Sequence, residues 1–347
     1  MTRIIVTAGA RTAVTGWHRG QAGLTDAQLA PTVFAAMPAT PDLIIFGNTV
    51  GPGGNIARIA GLAAGWETTG ATTLDAQCGS SLVSIGQAAA HAKLTGQTVV
   101  AGGAESPSSA WPDGQRTQAA FTPTGHPDPD MTVAADHLAH TFHLTRQTQE
   151  AYAVQSHDRA IAHPSAWVVG DHRDDGPRDI RKLLGRFDAV TDHPHATVTA
   201  LTAARIADAA AAVQLATETA QTAHLGVEVV DYRLVGVDPA LPGLGAEAAI
   251  EAVLAAHELP IHEIGVVDIV EAYAAQVLAV CHQLGIDAST VNRHGGALAH
   301  GHPWAASGAI AFLTTLEQLH TTPPGTLGMT AAAIAGGMGV VVLTRKL

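Results

Sequence analysis

The sequence predicts an α/β chain made of two similar halves around an insertion. Three observations predict it. Short apolar runs rich in β-branched residues alternate with longer helical stretches. The last third of the chain repeats the order of the first. And 347 residues exceed what one hydrophobic core usually organises, so two core units are expected. With 47% hydrophobic but only 4% aromatic residues, packing must rely on Ala, Val, Leu and Ile, which suits close helix-on-sheet layers and excludes disorder.

Taken in order, Ile4–Thr7 opens as a strand and a helix follows over 25–36, with Thr25 and Gln28 at capping-box spacing. Asp42-Leu-Ile-Ile-Phe46 reads as a buried strand. Asn55 N-caps a helix that Gly65 ends. A strand near Ala71–Asp75 runs into Gln77-Cys78-Gly79-Ser80-Ser81, a helix continues to Gly96, and Thr98-Val-Val-Ala-Gly-Gly103 is a strand closing on paired glycines. From 106 to 196 Pro, His, Asp and Thr rise, and Asp174-Asp-Gly-Pro177 and Asp192-His-Pro-His195 are turn chemistry. This is an inserted segment, with helical spacing from Thr145 to His163. Beyond it Val266–Val270 resembles the Leu43–Phe46 strand, and a helix runs from Glu271 to Leu284. Gly301-His-Pro-Trp opens a helix to about Leu319, and the strand Leu327–Ile334 ends on Gly336-Gly337. The expected organisation is a first half over 1–105 completed by about 197–218, an inserted domain over 106–196, and a second half over 219–347.

The 18 basic and 30 acidic residues give a net charge of −12, and no Lys/Arg cluster occurs. Nucleic acid and anionic membrane surfaces are therefore not expected partners. The N-terminal apolar stretch is too short for a signal sequence, and Ala331 to Leu343 is too short to span a bilayer, so a soluble cytoplasmic protein is expected.

Of the two cysteines, Cys281 lies in an Ala/Val/Leu helix and reads as core. Cys78 sits at a strand-to-helix junction among small residues. There the helix macrodipole and free N–H groups favour a thiolate, the state of a nucleophile; a small buried hydrophobe is the other reading of the same residue. The loop Gly295-Gly-Ala-Leu-Ala-His300-Gly-His302-Pro303 brings two histidines to the start of a helix, where an imidazole can take a thiol proton. Ala335-Gly-Gly-Met-Gly339 is a turn whose amides suit an oxyanion hole, though such turns between strands are commonly plain hairpins. Histidines without cysteine partners or an i, i+4 pair are weak metal ligands, so no metal is expected, Asp192-His-Pro-His195 included.

Together these motifs resemble the thiolase family over nearly the whole chain. The ordered set is Arg11-Thr12, Gly53-Gly-Asn-Ile-Ala-Arg58, Cys78-Gly-Ser-Ser, Ala101-Gly-Gly-Ala-Glu-Ser106, Glu271-Ala-Tyr-Ala-Ala-Gln276, Gly295-Gly-Ala, Gly301-His-Pro and the closing Gly-Gly-Met-Gly. The resemblance implies a duplicated five-layer α/β/α/β/α fold with an inserted, shortened loop domain, and a homodimer. It implies Cys78 as the acyl acceptor and His302 as its activating histidine, with the backbone amides of Cys78 and Ala335 as the oxyanion hole. The substrate is then an acyl thioester of coenzyme A or of a carrier protein, with no separate cofactor.

The departures from the family pattern bear on the reaction. Ala333 stands where the family has a second cysteine that shuttles the α-proton. Val270 replaces the asparagine of Asn-Glu-Ala-Phe, leaving Glu271 as a possible auxiliary group. His300 stands at a position that is usually apolar in the family, and the expectation is that it faces the cysteine and compensates. The family's Asn-Ala-Ser-Gly, whose serine meets the pantetheine arm, appears as Thr202-Ala-Ala204-Arg205. Met131 weakly resembles the loop-domain methionine that lines the acyl pocket. The leading expectation is an acyltransferase that forms an acyl-enzyme on Cys78, with carbon–carbon bond formation by a non-standard route among its outcomes. The alternatives are a conventional acetyl-CoA acetyltransferase or 3-ketoacyl-CoA thiolase, and a non-catalytic subunit that partners a complete thiolase-like chain as a hetero-oligomer.

Overall fold

The first half opens with β1 (Ile4–Arg11), the two-residue β2 (Thr15–Gly16), α1 (Asp26–Phe34), β3 (Leu43–Gly47), α2 (Ile56–Ala63), β4 (Gly70–Leu74), α3 (Ser80–Thr95) and β5 (Val99–Glu105). The short α4 (Pro107–Ala110), α5 (Met131–Thr141) and α6 (Arg146–Ala162) follow in the insertion, and β6 (Ala207–Thr217) returns to the sheet. The remainder is β7 (Val227–Gly236), α7 (Gly245–His257), β8 (Ile264–Ile269), α8 (Ala274–Leu284), the short α9 (Ala297–His300), α10 (Trp304–His320), β9 (Leu327–Ile334) and β10 (Met338–Lys346). The computed structural model describes residues 2–115, 119–219, 222 and 224–347.

The strands lie in the order β4-β3-β5-β6-β1-β7-β10-β9-β8, with β2 paired to β6. The duplication shows in this connectivity. Strand β3 runs parallel to β5, the chain passing through α2 and β4 before α3 leads into β5, and β8 runs parallel to β9, the chain passing through α8 and α9 before α10 leads into β9. Each parallel pair then continues into two antiparallel strands: β6 and β1 in the first half, β10 and β7 in the second. A short β1–β7 ladder, Ile4 to Val229 and Ile5 to Glu228, joins the halves into one sheet.

Alternation along the strands sorts side chains into separate cores. Ala332, Val340 and Val342 face a central core with Leu82 and Ile85 of α3 and Phe312 and Leu313 of α10. Ala331, Val341 and Leu343 face the opposite way, onto α7 and α8, while Ile44, Phe46 and Val100 pack under α1 and α2. Helices α3 and α10 therefore form the middle layer, covered on both sides, and this explains why their sequences are small and apolar nearly all round. Their close approach depends on Gly308, where an added Cβ would come within 2.6 Å of Leu82, and on Ser81 Oγ, which accepts from the Ala309 amide at 2.8 Å. The consequence for the site is that two helix N-termini, one from each half, open toward the same place.

The local signals set the helix ends. Thr25 and Gln28 make the capping box of α1, Asn55 caps α2, Thr145 caps α6, and Gly96 closes α3 in the left-handed conformation.

Candidate active site

Strand β4 delivers the chain to a tightly tied turn. Asp75 Oδ1 accepts from the Gln77 amide at 2.8 Å and from Thr49 Oγ1 at 3.0 Å. Ser80 Oγ accepts from the Ala76 amide at 2.9 Å and donates to the Gln77 carbonyl at 2.7 Å. Within these bonds Gln77 is held at φ 48°, in the left-handed region that a residue with a side chain rarely adopts. The turn Gln77–Gly79 then runs directly into α3 and leaves the Cys78 sulfur at the helix head.

His302 arrives from the other half, just before α10. Its Nε2 lies 3.1 Å from Cys78 Sγ, and its Nδ1 lies 2.7 Å from Ser307 Oγ, one turn into the same helix. With Nδ1–H donating to Ser307, Nε2 is left to accept the thiol proton; this tautomer is assigned from the hydrogen-bond network. The ring is only 7% exposed.

Both groups rest in their neutral forms. Burial pushes the Cys78 thiol up to about 12, with the carboxylates of Glu105 and Asp75 adding to the rise. Burial alone brings His302 down to about 4. The macrodipole reading of this half-buried cysteine therefore meets an opposing trend: desolvation and the nearby acidic groups raise the thiol more than the backbone N–H at the turn lowers it.

The pair opens into a cavity of about 600 Å3 bordered by Cys78, His302, Ala335, Met131, Ala204 and Tyr273, among others. Met131 starts α5, and the adjacent Thr132 Oγ1 lies 3.1 Å from the Tyr273 hydroxyl, so the insertion forms one wall. Trp304 borders the cavity too, packed edge-on against the buried Trp111 at 5.5 Å. Ala335 begins the β9–β10 turn, which is a hairpin and a cavity wall at once. Ala333 packs against the second core, and Cys281 is buried in α8, so no second thiol borders the cavity.

Two expectations are corrected. His300 does not border the cavity with Cys78; its Nδ1 lies 3.3 Å from Asp174 Oδ2. Asp174 is also held bidentately by Arg11, at 2.8 and 2.6 Å, and this places its carboxyl well below the usual range despite burial. Gly301, at φ 121° in the region that favours glycine, separates the two histidines, and their side chains meet different partners. Glu271 is not a cavity group either. It is fully buried and accepts from Tyr152, Ser156, Asn292 and the Leu298 amide at 2.7–3.1 Å, which makes it a tie between the β8–α8 link, α6, Asn292 and the start of α9. Val270 packs in the central core.

Sequence reasoning missed Ser307, Thr132, Tyr273 and Trp304. Ser307 carried a readable signal, since it lies on the helix that His302 precedes. The others belong to the cavity only through the docking of the insertion. Among the described residues, no group of three His, Cys, Asp or Glu side chains is arranged to hold a metal; His195 instead stacks on His140 with ring centroids 3.8 Å apart. No described helix is long and apolar enough to cross a membrane.

Comparison with known proteins agrees with this architecture. The thiolase N-terminal domain model matches residues 37–219 and the thiolase C-terminal domain model matches 223–346. The Bacillus subtilis protein YhfS is 34% identical over 323 residues, covering 88% of each chain. An acetyl-CoA acetyltransferase of Chromobacterium violaceum is 32% identical over 397 residues, covering 99% of each. The crystal structure of the Bacillus anthracis acetyl-CoA acetyltransferase superposes with a TM-score of 0.90 at 27% identity, over 100% of this chain and 99% of that one. The fold, the duplicated order and these matches establish that the chain belongs to the thiolase family.

Proposed function

We propose that this chain is an acyltransferase that takes an acyl group from a thioester onto Cys78 and passes it to an acceptor. The observation that carries the reading is the 3.1 Å contact between Cys78 Sγ and His302 Nε2 at the wall of a cavity large enough for an acyl arm. As the sulfur attacks the thioester carbonyl, His302 Nε2 takes the thiol proton and the new C–S bond forms. The negative charge gathers on the carbonyl oxygen, for which the amides of Cys78 and Ala335 are the proposed donors. Collapse breaks the bond to the carrier sulfur, and the imidazolium returns its proton to that leaving thiolate. Because the resting pair is neutral, charge develops only as the bond forms.

With Ala333 in place of a second thiol, a proton shuttle for condensing two ordinary thioesters is missing from the site. The acceptor is therefore either a carbanion generated by decarboxylation, as from a malonyl unit, or a hydroxyl, an amine or water. The donor is an acyl-CoA or a carrier-protein arm; the Acat5 thiolase of Ascaris suum, 25% identical with a TM-score of 0.85, was crystallised with coenzyme A. The proposed assembly is a homodimer, as in the dimeric peroxisomal thiolase of Saccharomyces cerevisiae. Strand β4 at one end of the sheet and the exposed Ile59 and Leu62 of α2 beside it suit such an interface.

Incubation with acetyl, butyryl and malonyl thioesters of coenzyme A and of pantetheine should give a mass increase on the Cys78 peptide, absent in Cys78→Ala. No adduct from any donor would refute the proposal and favour a non-catalytic subunit. The acetyl-CoA acetyltransferase names of the relatives favour a second reading, conventional thiolysis. Turnover of acetoacetyl-CoA with free coenzyme A would establish it.

A further inference from the structure

We infer that Arg205 is the positioning residue that aims His302 at Cys78. The inference rests on the Cys78–His302 reading above. The Arg205 side chain donates from Nε and Nη2 to the His300 carbonyl, at 3.2 and 2.8 Å, while its own carbonyl accepts from the His302 amide at 2.8 Å. One residue thus grips the main chain on both sides of Gly301, which stands at φ 121° in the region that favours glycine. A glycine has wide backbone freedom, and the His302 ring direction follows directly from it.

The guanidinium is itself fixed. It pairs with Asp175, whose two carboxylate oxygens accept from the Gly16 amide at 3.1 and 3.2 Å. It lies in a slot between Gly16 and Gly176, where an added Cβ would come within 2.7 Å of Nη1 and of Nη2 respectively. Beside it Asp174 is held by Arg11 and by the Val14 amide at 2.8 Å. The stretch Asp174–Gly176 belongs to the insertion, so the insertion reaches the reacting pair through Arg205. The resemblance sharpens the point: this arginine stands where the family's Asn-Ala-Ser-Gly segment has glycine, which has no side chain to make these bonds.

The test is the rate of Cys78 alkylation by iodoacetamide between pH 5 and 9, read by peptide mass spectrometry. Between the two titrations the fraction of the pair present as thiolate and imidazolium does not depend on pH, so a coupled pair gives a flat profile. A lone thiol instead gains about tenfold per pH unit below its own pKa. The wild type should be flat and His302→Asn should rise. Arg205→Gly should rise as His302→Asn does, with a rate at pH 6 at least about fivefold below wild type, and Asp175→Asn should fall between them. A flat, undiminished profile in Arg205→Gly alongside a rising one in His302→Asn overturns the inference. A rising profile in the wild type itself overturns the pair reading, and the inference with it. If Arg205→Gly does not fold, Arg205→Met decides by the same criterion, since it keeps the bulk of the side chain and removes both donors to the His300 carbonyl.

Discussion

Ser307 Oγ lies 2.7 Å from His302 Nδ1, on the side of the ring opposite Cys78. In the proposed acylation, a hydroxyl there fixes the tautomer and stabilises the imidazolium formed as the thiol proton is taken, without carrying charge itself. Ser307→Ala should lower the Cys78 acylation rate by about tenfold, the worth of one buried hydrogen bond, and leave the KM for the thioester within twofold. Stopped-flow acylation with a chromogenic thioester checks this; an unchanged rate would show that the tautomer is held by something else.

Acid should act on stability through His302 and His157, both brought down to about 4 by burial. The unfolded chain takes up these protons near 6.5, while the fold resists until about 4. Their contribution is therefore complete above pH 6.5 and is lost as the pH falls toward 4, by up to about 3 kcal/mol for His302 and by less for His157, whose shift is shared with the Arg178 charge and partly screened by solvent. Comparing urea unfolding at pH 7 and pH 4.5, His302→Asn should lose less stability than wild type over that interval. An equal loss in both proteins would refute the assignment.

Asp268 has the opposite sign. Buried beneath α10, where it accepts from Thr315 Oγ1 at 2.7 Å and Gln318 Nε2 at 2.7 and 3.0 Å, it is raised to about 6 by desolvation. Its contribution is present below 3.8 and is lost as the pH rises through 6, so at neutral pH an ionised carboxylate is held in the core. Asp268→Asn should be more stable than wild type at pH 8 by about 1–3 kcal/mol, with the gap closing at pH 4. Calorimetry at the two values measures it, and a gap of the same size at both would count against the charge.

Gly103 at the end of β5 touches the first turn of α10: a Cβ there would meet the Ala305 carbonyl at 2.2 Å. Backbone, unlike a flexible side chain, yields only by moving the helix. Gly103→Ala should therefore cost about 2–4 kcal/mol and slow acylation by shifting the helix that carries Ser307. A variant with wild-type unfolding and rate would show that α10 shifts freely.

Much of this was legible from local chemistry. Caps such as Asn55 and Gly96 and the turn residues around Cys78 and His302 act within a few positions, so the sequence displays them directly. The repeat was legible because β3-α3-β5 and β8-α10-β9 place similar residues in similar order. What escaped depends on contacts distant in sequence. His300 and His302 are neighbours in the chain, yet Gly301 turns one toward Asp174 and the other toward Cys78. Arg205 reads as a stray charge until Asp175 and the His300 carbonyl come beside it. The upward push on the Cys78 thiol comes from desolvation between the two halves and from Glu105 and Asp75, a property of the assembled layers that no local motif carries.

The left-handed backbone at Gln77 has a consequence for adaptation. A glycine would occupy that conformation with less strain, so Gln77→Gly offers a stability gain of up to about 1 kcal/mol that the protein has left unused. The same exchange would remove a side chain that borders the cavity beside Cys78 and slacken the turn that presents the sulfur. Selection for a hardier protein and selection for a faster one therefore pull on this single position in opposite directions.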